Sequence, residues 1–113
     1  MWSQRTCASA SSLNALDANA MAEMVSRQKI DSIFNLVALL SAVGEAKPQT
    51  AWQVNIGALM NSLEVARQYN CALFTPSSIG AFGPSSPKDK TPQDTVMRPT
   101  TMYGVCKVTG EML

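Results

Sequence analysis

Residues 33–75 read IFNLVALLSAVGEAKPQTAWQVNIGALMNSLEVARQYNCALFT. Two short apolar runs, IFNLVA (Ile33–Ala38) and CALFT (Cys71–Thr75), bracket a longer segment. In it Trp52, Ile56, Leu59, Met60, Leu63 and Ala66 recur at three- and four-residue steps. That spacing is the apolar stripe of an amphipathic helix, predicted from Gln49 to about Gln68. The flanking runs are apolar, and Ile33 and Val37 are β-branched, so both runs are predicted as buried strands. Gly44 and Pro48 mark a polar turn between the first strand and the helix. Strand, long helix, strand is the crossover unit of a parallel α/β sheet.

Upstream, Leu13–Leu16 has the look of a strand's tail, and Asp17 suits a helix N-cap. The helix it would open, ANAMAEMVSRQ, places Ala20, Met21, Met24 and Val25 on one face; Lys29-Ile30-Asp31 breaks it. Downstream, Pro76 to Pro99 is rich in Pro, Ser, Gly and Thr and is predicted as a long surface loop, a kind that in compact domains usually carries function. A last helix opens near Thr101 and is still running at Leu113. Only two firm strands and a stub emerge, fewer than a doubly wound sheet normally holds. The expectation is therefore one partial sheet domain over residues 13–113, a piece of a larger fold. Residues 1–12 (MWSQRTCASASS) are Ser-rich and lack acids, which fits a disordered, non-family start or an organelle-targeting segment.

Composition closes off several classes of function. Nine Lys+Arg against eight Asp+Glu leave a formal charge of +1, so no nucleic-acid partner is expected. The longest apolar run, Leu36 to Leu40, is too short to span a membrane. The chain has no histidine, which excludes His-based triads and His metal sites. Three cysteines, Cys7, Cys71 and Cys106, form no CxxC pair, so neither a zinc site nor a disulfide framework is expected; a reducing, intracellular setting is the simplest reading.

Chemistry is expected beyond the carboxyl ends of the strands, where open α/β sheets bind ligands. The first strand exits into VALLSAVGE and the second into TPSSIGAFG, so both present serines and small residues at one edge. A strand exit that merely caps its own backbone is the alternative reading of Ser77, Ser78, Gly80 and Gly83. Tyr103 and Lys107 are four residues apart and share a helix face. Tyrosine is by nature a poor base, and an ammonium one turn away favours the phenolate that proton transfer needs. Alone the pair is a weak motif. Its position, one helix after a serine-bearing strand exit, would bring Ser78, Tyr103 and Lys107 to one crevice.

That order of motifs resembles the extended short-chain dehydrogenase/reductase family, with its NAD-dependent epimerases and dehydratases. Within it, ALLSAVGE (Ala38–Glu45), PSSIGAFGPSSPKDKTP (Pro76–Pro92) and RPTTMYGVCKVTGE (Arg98–Glu111) are similar to the NAD-dependent L-threonine 3-dehydrogenases. The resemblance covers residues 13–113 and implies a partial Rossmann-like, doubly wound parallel sheet. It also implies roles. Tyr103 would be the catalytic acid/base and Lys107 would favour its phenolate and hold the nicotinamide ribose. Ser78 would bond the reacting hydroxyl, and Ser41 would contact the substrate, L-threonine. Asn14 and Ala15 would lie near the adenine, while Val37 and Ala38 would flank the NAD. No metal is implied.

The resemblance further implies a homodimer through helices 49–68 and 101–113, in a cytoplasmic or mitochondrial compartment. The family's glycine turn for the pyrophosphate, its first strand and its substrate lobe have no counterpart in the 113 residues. From this follows the expectation that the chain alone neither binds NAD tightly nor turns over threonine. Val37 is bulkier than the family's usual alanine, and Gly57 stands one position earlier than the family's helix glycine. A sugar-nucleotide epimerase or dehydratase is the alternative enzyme, and a non-catalytic fragment that pairs with a full-length paralogue is the alternative of another kind.

Overall fold

A computed structural model describes residues 11–113; the expectation for the N-terminal segment falls, over residues 1–10, outside the described residues. Elements follow in the order α1 (Ala18–Gln28), β1 (Ser32–Phe34), α2 (Ser41–Ala46), α3 (Pro48–Tyr69), β2 (Ala72–Phe74), a 3₁₀ turn (Ile79–Ala81) and α4 (Met102–Met112). The strands pair in parallel with Ile33 opposite Leu73 and Phe34 opposite Phe74. This is the predicted crossover: α3 leaves from beyond the carboxyl end of β1 and returns the chain to the start of β2.

Local chemistry explains the helix limits. The Asp17 carboxylate accepts the Ala20 amide at 3.0 Å and starts α1. Lys29 and Asn70, both at left-handed φ, close α1 and α3. Pro48 occupies the first turn of α3, where its missing N–H leaves no bond unmade. Thr101 caps α4 by accepting from Gly104 N at 3.0 Å.

Several expectations need correction, that of a buried strand over Cys71–Thr75 among them: β2 covers Ala72–Phe74 and Phe74 is 52% exposed. The first strand was expected over Ile33–Ala38 and buried, yet pairing stops at Phe34. There the Asn35 side chain accepts the Val37 amide at 3.3 Å, which turns that donor away from the ladder. Phe34 and Leu36 are each 67% exposed. The polar turn around Gly44 instead contains helix α2, too short to show a period and supported by α3 and α4 on either side. Leu13–Leu16 forms no strand: the Asn14 side chain accepts from Leu16 N and its carbonyl from Asp17 N, making a turn.

The core sits in two seams along α3. On one, Met21 and Val25 of α1 meet Val65, with Ala15, Ile33 and Cys71 around them. On the other, α3 meets α2 and α4. The predicted stripe was only half right. Trp52 and Met60 lie exposed, while Ala51, Ala58 and Ser62 are almost fully buried. Small side chains let neighbouring helices approach α3 closely; Ile56, Leu59 and Val65 are buried with them, and Trp52 and Met60 are left outside. Phe34 and Phe74 share the other face of the sheet, their ring centroids 5.6 Å apart. Among the described residues no helix is long and apolar enough to cross a membrane.

Candidate active site

Both strand exits and α4 enclose a cavity of about 110 Å³. Val37 and Ala38 line it from the β1 exit, Thr75, Pro76 and Ser77 from the β2 exit, Asn55 and Leu59 from α3, and Cys106 and Lys107 from α4. Of the sequence-predicted residues, Val37, Ala38 and Lys107 thus come together. The Lys107 ammonium donates to the Pro76 carbonyl at 2.6 Å, which ties α4 to the end of β2.

Ser78 and Tyr103 converge on Gly80. A methyl group built there would lie 3.3 Å from the Tyr103 ring and 3.4 Å from Ser78 Oγ, a tight fit against the ring and ordinary contact with the hydroxyl. Ser78 Oγ accepts from Gly80 N at 3.1 Å and opens the 3₁₀ turn, so part of the self-capping alternative holds. The Lys107 ammonium stands 5.6 Å from the centre of the Tyr103 ring, one helical turn on. Gly104, beside Tyr103, is a close-approach glycine: a methyl there would meet Gly80 O at 2.2 Å and Pro99 Cβ at 2.6 Å. Ser78, Tyr103 and Lys107 are all half-buried, reachable from solvent yet fixed by neighbours.

Ser41 opens α2, which packs on α4. Asn14 and Ala15 stand apart from the cavity: Ala15 packs on the Met21/Val25/Val65 cluster and its carbonyl accepts from Asn61 Nδ2 at 3.0 Å. Ser78 instead lines a second, more open hollow of about 510 Å³ with Thr91, Gln93 and Thr95 of the long loop. Ser77 and Glu111, joined by a hydrogen bond, border both spaces.

Sequence reasoning missed two supporting side chains. Asn55 is buried and holds both backbone polar groups of one residue, accepting from Leu39 N at 2.7 Å and donating to Leu39 O at 3.2 Å. The signal was available, an asparagine set inside an apolar stripe. Glu45 accepts the Met102 amide across 57 positions of sequence, which no local pattern announces. The neighbouring thiol of Cys106 is 4% exposed. Burial pushes its pKa up, partly offset by a hydrogen bond from Asn55 and by the charge of Lys107.

The family model described as the NAD dependent epimerase/dehydratase family matches residues 2–113. The chain belongs to that family. An uncharacterized epimerase/dehydratase of Staphylococcus saprophyticus is 56% identical over 101 residues, covering 89% of this chain and 32% of the relative. The L-threonine dehydrogenase of Clostridium difficile superposes with a TM-score of 0.87 at 50% identity, over 94% of this chain and 34% of that one. A UDP-glucose 4-epimerase of Thermotoga maritima gives 0.82 at 25% identity, over 88% and 33%.

The chain therefore spans about a third of the length of these relatives. Its two parallel strands and their helices are part of a Rossmann-like sheet, and the family's cofactor is NAD. The residues present fit a cofactor of that kind. Small and apolar side chains, Val37 and Ala38, face a cavity edged by the Lys107 ammonium, which keeps donors to spare beyond its bond to Pro76.

Proposed function

We propose that these residues form the catalytic segment of an NAD-dependent L-threonine 3-dehydrogenase. The convergence of Ser78 Oγ and the Tyr103 ring on Gly80, with Lys107 one turn further along α4, carries the reading. The 50% identity with the Clostridium difficile enzyme, against 25% with the epimerase, favours threonine over a nucleotide sugar.

Bound beside Val37, Ala38 and Lys107, NAD would supply the acceptor for the hydride on C3 of threonine, whose oxidation yields 2-amino-3-ketobutyrate. Tyr103 Oη takes the proton of the substrate's β-hydroxyl, acting as general base. Lys107 holds a positive charge 5.6 Å from the centre of that ring and would offer its remaining N–H donors to the nicotinamide ribose. Ser78 Oγ, held on the Gly80 amide, orients the reacting hydroxyl. Ser41, at the start of α2, contacts the amino acid. Val37 and Ala38 shape the wall beside the nicotinamide, whereas Asn14 and Ala15 serve the adenine end, away from the cavity. The exposed Trp52 and Met60 of α3 and Met112 of α4 supply apolar surface for pairing two copies through these helices.

The test is a substrate comparison on the full-length natural protein. NADH formation with L-threonine, and no conversion of UDP-glucose, is expected. Epimerisation of the sugar without threonine oxidation would replace this reading with the sugar-nucleotide one.

A further inference from the structure

The first turn of α4 carries Tyr103 but holds no acidic residue of its own to complement the exposed N–H groups there. Thr101 satisfies Gly104 N. The Met102 amide, immediately before Tyr103, is taken by the Glu45 carboxylate, from the far end of α2. Here a distant helix supplies the missing negative charge. α2 also lies against this turn through Gly44, where a methyl would be 3.9 Å from Tyr103 N and 3.5 Å from Ala51 Cβ.

α2 carries a second residue of interest on the same side. Ser41 and Glu45 are four positions apart, one helical turn, so they share a face of α2. The short helix is itself fixed at both ends. Asn55 clamps the Leu39 peptide just before it, and Pro48 starts α3 directly after it. Glu45 is thus the direct polar link between the element bearing Ser41 and the backbone bearing Tyr103.

We propose that Glu45 is a positioning residue, which sets the distance between Ser41 and Tyr103 by holding the Met102 amide. This rests on the threonine dehydrogenase reading for its catalytic consequence, though not for the contact itself. A misplacement of about 1 Å between reacting groups is enough to cost rates heavily. An acceptor is what the position requires, since both a carboxylate and a neutral amide oxygen can take an N–H.

Two readouts on the same variants separate the contact from the chemistry. In the 113-residue chain, hydrogen exchange at the Met102 amide is expected to quicken in E45A and to slow again in E45Q. A Met102 amide that exchanges no faster in E45A than in the unsubstituted chain would overturn the contact, whatever the enzyme does. In the full-length protein, E45A is expected to lower kcat for threonine about tenfold, with most of it restored in E45Q. A merely structural role predicts a lower melting temperature with kcat unchanged in the surviving folded enzyme, and that result would overturn the proposal. Should the unsubstituted protein fail to oxidise threonine, the substrate reading falls while exchange at the Met102 amide still decides the contact.

Discussion

The two seams along α3 are built differently. The seam with α1 is apolar, made by Met21, Val25 and Val65, and no sequence-predicted catalytic residue lies in it. The seam with α2 and α4 contains small residues and is crossed by polar ties from distant positions. Asn55 holds Leu39, Glu45 holds Met102, Lys107 holds Pro76, and Ser77 bonds Glu111. Apolar burial is non-directional and sets stability without fixing atoms to a tenth of a turn. Hydrogen bonds are directional, and they fall where Ser78, Tyr103 and Lys107 must keep their geometry. One seam supports and the other positions.

Truncation on the support side should give the largest effect. Met21→Ala is expected to cost about 2–5 kcal/mol in denaturant unfolding, as for other buried large-to-alanine changes, while leaving the Lys107–Pro76 contact in place. An altered Lys107 resonance in that variant would break the division between the seams. On the other side, Gly104→Ala should cost about 1–3 kcal/mol, because the added methyl meets the Gly80 carbonyl and Pro99 rather than a flexible side-chain tip. Its spectral changes should centre on the 3₁₀ turn and α4.

Asn55→Ala should cost about 1–3 kcal/mol, since it leaves the Leu39 N–H and C=O without their partner. Hydrogen exchange at Leu39 should quicken while exchange around Val25 stays as it was; quickening at both would show that the seams are one unit. The smallest effect concerns pH. Burial raises the Cys106 pKa, so the folded chain keeps that proton to higher pH than the unfolded chain does. Stability should be unaffected by this group below the ordinary thiol value of 9.0 and should fall as pH rises past it. Cys106→Ala should remove that decline, as read by denaturation at a series of pH values.

The same contrast explains what could be read from the residues alone. The apolar seam announces itself: Asp17 caps α1 where expected, and Met21 and Val25 are buried. Tyr103 and Lys107 were legible because four-residue spacing on a helix forces a shared face. The misreadings fall where tertiary contacts decide. Trp52 and Met60 look like core by size, but α3 buries its small residues and leaves these outside. α2 has too few residues for a period and exists by packing. The β1 strand looked longer because its apolar residues continue after Asn35, whose side chain ends the ladder. Glu45 is a surface-type residue in sequence, and only the fold brings it to Met102.

Tyr103 is proposed to perform the proton transfer in threonine oxidation, on a scaffold that does not need its hydroxyl. The most direct measurement compares Tyr103→Phe with the unsubstituted full-length protein, by threonine-dependent NADH formation and by thermal melting. A loss of turnover of about 10²–10⁴-fold with the melting temperature unchanged is expected. Turnover that survives the loss of the hydroxyl would contradict it.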